Sequence, residues 1–196
     1  MKSLLSIFFL LQVSFCFSQT YYGQIINKEN DTLNVQISIK GNMIFKNNKI
    51  LSLQEKITVI ENGTSKDYYP KDLKSFKIKM EDKKAVTYDN INDSIFGERW
   101  YSKKVKLYYT LIKVETRQSP YFAIYRVFLI KKPGQEKVTN LIPNGFSRLI
   151  TQKEMLEKFT DCPILYDKIK TDEIKIKNED ALVNFIIDYE KNCFSN

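Results

Sequence analysis

Two cysteines 31 positions apart, Cys162 and Cys193, are the residues of this chain best suited to covalent chemistry. They read as the two halves of a structural disulfide. Cys162 starts one expected helix, Cys193 ends another, and antiparallel neighbours would bring those ends together. Closing a loop of that length stabilises by roughly 3–4 kcal/mol on the chain-entropy account. The alternative is a pair of unlinked thiols. A catalytic thiol has little support, because the chain contains no histidine to activate it and no C-x-x-C motif.

The missing histidine reaches further. Ser-His-Asp catalysis, Cys-His catalysis and every histidine-ligated metal site are excluded. A third cysteine, Cys16, falls in the N-terminal stretch, so two thiols remain, too few for a thiolate zinc site. No catalytic residue, metal ligand or cofactor is expected. Carboxylate pairs such as Glu81-Asp82 and Glu179-Asp180 fall in a turn and a helix start, where solvation and capping account for them.

The N-terminus sets the compartment. Lys2 is followed by an apolar run over residues 4–15, too short to span a membrane, which takes about 20 residues. It has the form of a secretory signal peptide over residues 1–18, cut between Ser18 and Gln19. The alternative is a lipoprotein anchored through Cys16, although Phe15 stands where such sites carry a small residue. The expected product is exported to the periplasm or beyond, peripheral to the membrane at most. An oxidising compartment suits the cysteine pair.

The formal charge of +8 becomes +7 once Lys2 is removed. Only Arg99, Arg117, Arg126 and Arg148 are arginine; lysine supplies the remaining basic charge. Arginine is the better reader of phosphates and bases, so nucleic acid is not an expected partner.

Hydrophobic periodicity gives the elements. Residues 32–40 alternate strictly, with Leu33, Val35, Ile37 and Ile39 on one side. A preceding strand over 21–27 and a turn over 28–31 make a hairpin. Asn62-Gly63 supplies the positive φ angles of a second hairpin between 57–60 and 66–69. Further strands fall at 76–80, 85–88 and 105–111. Residues 121–130, the most apolar stretch, read as a central strand, and Pro133-Gly134 turns the chain into 137–141. About nine or ten strands are expected in a β-rich region over 19–145.

The period then changes. Thr151-Gln152-Lys153-Glu154 is a capping box with Ile150 and Met155 as its staple. Met155, Leu156 and Phe159 are its inward stripe. Pro163 opens a second helix, with Ile164, Leu165 and Ile169 inward. Asn178 caps a third, whose Leu182, Phe185, Ile186 and Tyr189 form one stripe. The expected class is α+β: a mainly antiparallel sheet or partly open barrel, followed by three short C-terminal helices over 146–196 packed on it as one globular unit.

Three stretches carry a family resemblance. They are Gly23-Gln24-Ile25-Ile26 with Asp31-Thr32, then Tyr69-Pro70-Lys71-Asp72-Leu73-Lys74-Ser75-Phe76, then Asp161-Cys162-Pro163 with Tyr189-Glu190-Lys191-Asn192-Cys193. In this order they resemble exported proteins of Bacteroidota with a G-x-I…G-D-T opening, a Y-x-P-x-D-I-x-x-F middle and a D-C-P…Y-N-x-C ending. Here Asn30 replaces the glycine before Asp31, Val35 a later glycine and Glu190 the asparagine of the ending, and the middle stretch is one residue shorter before Pro70. The resemblance implies export and architecture, and carries no catalytic residue. It also makes Asp31-Thr32-Leu33 and Asp93-Ser94-Ile95 similar to sites where such bacteria attach O-linked sugars, with Thr32 and Ser94 as acceptors.

The tyrosine doublets Tyr21-Tyr22, Tyr68-Tyr69 and Tyr108-Tyr109 each put one ring on either face of a strand. The outward rings could stack on a sugar or a protein, or serve simply as strand formers. The functional expectation is a non-catalytic binding or assembly module of the cell envelope, its partner an envelope protein or a glycan. A carboxylate-dependent enzyme resembling a glycoside hydrolase is the alternative, needing two acids roughly 5–10 Å apart in a cleft. An outer-membrane β-barrel is a third reading, disfavoured by the charges on the strands.

Overall fold

Ten strands hydrogen-bond in the order β10-β9-β8-β7-β6-β5-β1-β2-β3-β4, every pairing antiparallel. The sheet is open, with β10 and β4 at its ends, and the class is α+β. The computed structural model describes residues 19–39, 46–79, 84–115, 122–144 and 147–194. The expected signal segment with Cys16 and Ser18, and the acidic pair Glu81-Asp82, lie outside the described residues.

The strands are β1 (Gln19–Asn27), β2 (Thr32–Ile39), β3 (Ile57–Glu61), β4 (Thr64–Tyr68) and β5 (Leu73–Ile78), then β6 (Val86–Ile91), β7 (Ile95–Ser102), β8 (Lys106–Glu115), β9 (Phe122–Lys131) and β10 (Thr139–Leu141). Helix α1 (Lys46–Glu55) lies between β2 and β3, and α2 (Gln152–Lys158), α3 (Pro163–Lys170) and α4 (Glu179–Cys193) follow the sheet. The hairpin turns use the expected chemistry, with Asn30, Asn62 and Gly63 at positive φ.

One face of the sheet carries the core. Directly paired residues share a face, and the row Ile25, Phe76, Tyr88, Glu98, Tyr109 and Phe128 crosses six strands. All but Glu98 are buried. At the β7–β9 end this face packs against Met155, Phe159, Leu165, Ile169, Leu182, Phe185, Ile186 and Tyr189 of the C-terminal helices. A second cluster gathers β1, β2, β3, β5 and β6 around Ile37, Val59, Leu73 and Phe76. Helix α1 contributes Ile50 to the first cluster and Leu53 to the second, so it ties the two together.

The helix ends follow the sequence closely. The Thr151 hydroxyl accepts from the Glu154 N–H, Pro163 opens α3, and Asn178 Oδ1 accepts from the Ala181 N–H at 2.8 Å. Ile164 departs from expectation: Leu165 and Ile169 take the inward face of α3, and Ile164, rotated off it, is 56% exposed. On β2 the alternation decays, since Ile37 is buried while Leu33, at the outer end, is exposed.

One further expectation is revised, and two elements are not anticipated by the sequence pattern. β9 is the strand next to the edge, not a central one. Its apolar run arises because both faces are covered there: Phe128 and Ile130 join the helix-side cluster, while Val127 and Leu129 join a small cluster with Ile91 and Tyr108 on the other face. The strand β7 has no clean period, because the register shifts between Arg99 and Tyr101. That bulge puts both Trp100 and Tyr101 against the helix-side core. Helix α1 was not anticipated at all: it has no acidic residue in its first turn and none that is basic in its last.

Candidate binding cleft

The opposite face of the sheet holds a cleft of about 790 Å³. Two rows make its floor: Ile26, Ser75 and Asp89, paired across β1, β5 and β6, and Arg99 and Tyr108, paired across β7 and β8, with Asn140 of β10 beyond them. The β9–β10 connection forms one wall with Glu136, Lys137 and Val138; Asn30, Lys74 and Asn92 form the other.

The floor is fixed by one charged group. The Arg99 guanidinium grips Asp89 with two nitrogens, Nε donating to Oδ2 at 2.8 Å and an NH2 group to Oδ1. This bidentate geometry is the strong form of the pair. Hydrogen bonding to Asp89 holds the Arg99 guanidinium above its usual pKa. Burial, and then Asp89, push the Tyr108 hydroxyl well above the ordinary phenol value, so it stays protonated. Gly97 makes room for this arrangement. A Cβ there would lie 3.1 Å from Ile91 Cγ1 and 3.2 Å from Tyr108 Cβ.

The rim is tied across two turns and the start of β5. Lys28 Nζ reaches Asp93 Oδ1 at 2.6 Å, Asn90 Nδ2 donates to the same oxygen at 2.7 Å, and Lys74 Nζ donates to Asn30 Oδ1 at 2.6 Å. The bond from Lys28, with that from Asn90, holds the Asp93 carboxyl below the usual range.

Cations dominate the lining. Lys74, Arg99, Lys106, Lys131 and Lys137 face two acids, Asp89 and Glu136, a balance of +3. Lys106 and Lys131 are directly opposite each other on β8 and β9. Nothing local marks this cluster, because its members are spread over 64 positions. Only the antiparallel register assembles them.

The residues singled out from the sequence fall as follows. Cys162 and Cys193 are joined, their Cα atoms 5.7 Å apart, linking the start of α3 to the end of α4. Thr32 and Ser94 are both exposed, Thr32 opening β2 and Ser94 in the β6–β7 turn. The Lys28–Asp93 pair links the turns beside them. Gln19 begins β1, paired with Ile39. Tyr22 (74% exposed) and Tyr69 are outward rings as expected, whereas Tyr108 and Tyr109 are both buried because β8 is covered on both faces. Glu179 sits in the first turn of α4 and meets Arg126 at 3.0 Å.

Glu190, the departure from the resembled ending, has a structural role. It accepts from Tyr101 Oη at 3.1 Å and from the Val105 N–H at 2.7 Å, pinning α4 to the β7–β8 turn. Lys132 does the same for β9. Its buried ammonium donates to both Asp161 oxygens at 2.9 Å and to the Lys158 carbonyl at 2.7 Å, and Tyr189 Oη donates to Asp161 at 2.6 Å.

Among the described residues no three of Cys, Asp and Glu lie together as a metal site requires. No helix among them is long and apolar enough to cross a membrane. No family model, curated protein or solved structure gives a significant match to this chain.

Proposed function

We propose that this chain is an exported, non-catalytic binding module of the cell envelope, and that its ligand is a glycan held in the cleft opposite the helices. The observation that carries the reading is the composition of that cleft: amide, hydroxyl and ammonium groups around a floor immobilised by the Asp89–Arg99 pair. Clustered polar donors and acceptors in a concave site suit a hydroxyl-rich ligand. The disulfide and the leader-like N-terminus support export. The open sheet favours this reading over a membrane barrel, which must close on itself.

The test is a titration of the processed protein with short neutral and acidic oligosaccharides, followed by backbone amide NMR. Shifts confined to the cleft-lining parts of β1, β5–β8 and β10, the turns after β1 and β6, and β9 with the β9–β10 connection are expected. Absence of any saccharide-dependent shift there would overturn the reading. Asp89 and Glu136 both line the cleft, which keeps the carboxylate-enzyme alternative open to the same experiment. Cleavage of a bound oligosaccharide, abolished by Glu136→Gln, would establish it. Asp89 is poorly placed for such a role, since both its oxygens are taken by Arg99.

A further inference from the structure

We infer that the cleft selects acidic saccharides, through an acid-group subsite formed by Lys106, Lys131 and Lys137. This rests on the reading of the cleft as a glycan site and adds the class of sugar.

Like charges directly opposite on paired strands are destabilising, and Lys106 and Lys131 are such a pair. Elsewhere the molecule neutralises its well-placed cations: Arg99 with Asp89, Lys132 with Asp161, Arg148 with Asp172 and Lys28 with Asp93. Among the described residues Lys106, Lys131 and Lys137 form no ion pair, although Glu136 stands on the same wall. The backbone pairing fixes the two strand lysines side by side whatever their mutual repulsion. An anionic group between them removes that repulsion and gains two charge-assisted hydrogen bonds. Lysine offers compact point charges, not a planar fork, which fits a carboxylate or sulfate carried on a sugar. Asn92 and Asn140 in the same cleft are left for its hydroxyls.

The experiment compares binding of tetragalacturonate, its methyl ester and a sulfated chondroitin tetrasaccharide by calorimetry. The wild-type protein is expected to bind one of the acidic chains at least about tenfold tighter than the ester, less tightly as salt is raised. The carboxylate and sulfate arms identify which acid group is taken. Lys106→Gln and Lys131→Gln are each expected to lose about tenfold for the acidic chain, the size of one charged hydrogen bond, with ester binding unchanged. Lys153→Gln, on the outer side of α2 and 87% exposed, removes the same charge outside the cleft and should have no effect.

Equal binding of ester and acid overturns the subsite and leaves the glycan reading standing. Equal loss from Lys153→Gln also overturns it, because the attraction is then one of net charge. No binding of any of the three chains overturns both. Lys137→Gln, in the exposed β9–β10 connection, serves as the readout should either strand variant fail to fold.

Discussion

Gln54 holds together a place where two strands of the sheet part. β8 pairs with β7 only over residues 106–109, while its pairing with β9 continues to residue 115. β7 meanwhile follows β6 back to Ile95. The backbone of Leu111 is thus left facing away from any strand, and it is buried. The side chain of Gln54, itself 3% exposed, closes the gap: Nε2 donates to the Leu111 carbonyl at 2.9 Å, and Oε1 accepts from the Leu111 N–H at 2.7 Å. One amide thereby replaces a strand residue. Gln54→Met keeps the volume and removes both partners, leaving two buried backbone groups unpaired. Each costs about 1–3 kcal/mol, so a loss of about 2–6 kcal/mol is expected in urea unfolding. Gln54→Glu keeps an acceptor for the N–H but buries a carboxylate, and should be no better. Amide exchange at Leu111 should accelerate in the Met variant beyond the global change. A loss below about 1 kcal/mol with Leu111 exchange unaltered would refute the assignment, and would mean that water or a shift of β7 fills the gap.

Four other perturbations follow from the same geometry. Replacing Cys162 and Cys193 together by alanine opens a loop with a separation of 31. That should lower stability by about 3–4 kcal/mol on the chain-entropy account, read as a urea midpoint that no longer responds to reductant. Gly23→Ala would place a Cβ 2.5 Å from the Lys77 carbonyl oxygen and 2.7 Å from Ile37 Cδ1; a cost of about 1–3 kcal/mol is expected from the forced shift, measured by thermal melting. Lys132→Met leaves the Lys158 carbonyl and Asp161 without their buried cation; because Asp161 is partly exposed, the expected cost is about 2–3 kcal/mol, and a double-mutant cycle with Asp161→Asn should show coupling. Both pH limbs have a defined sign. Burial alone would raise the Asp161 carboxyl, but bonds from Tyr189 and Lys132 hold it below its usual value, so its contribution is present above about pH 4 and lost as pH falls further. Burial raises the hydroxyls of Tyr88, Tyr108 and Tyr189, so stability should decline as pH rises above about 10, where the unfolded chain ionises first.

Helix caps, hairpin turns and the α4 stripe were legible because each is a local pattern. Thr151, Pro163, Asn178, Asn62-Gly63 and Leu182/Phe185/Ile186/Tyr189 all act within a few residues of themselves. The disulfide was legible for a related reason: two helix ends of known polarity leave few arrangements. Where long-range cover or register decides, the pattern was silent or misleading. The apolar run of β9 mimics a central strand because a second small cluster lies on its outer face. β7 was hidden by a bulge that turns two consecutive aromatic residues to the same side. Helix α1 is held by where Ile50, Leu53 and Gln54 land, and its own sequence offers no charge gradient. The cleft was illegible for the strongest reason, since Lys74, Asp89, Arg99, Lys106, Lys131 and Lys137 meet only through the pairings of β5 to β10.

The two faces of the β8–β9 pair are built on opposite rules, and the contrast explains why the cleft can exist. On the helix side, Leu107 and Ile130 are fully buried neighbours, and the charged groups that tie the helices down are matched: Lys132 with Asp161, and Glu190 with Tyr101 and the Val105 N–H. One residue away on each strand, Lys106 and Lys131 face each other unmatched. A like-charged cross-strand pair costs on the order of 0.2–1 kcal/mol, while burying two large aliphatic side chains contributes about 1.5–3 kcal/mol each. The apolar face therefore outweighs the repulsion and fixes the register that creates it. Glu190 anchors α4 against the β7–β8 turn, so the lysines cannot move apart by letting that part of the sheet loosen. A charge arrangement that the isolated hairpin would avoid is thus held ready for a ligand that neutralises it.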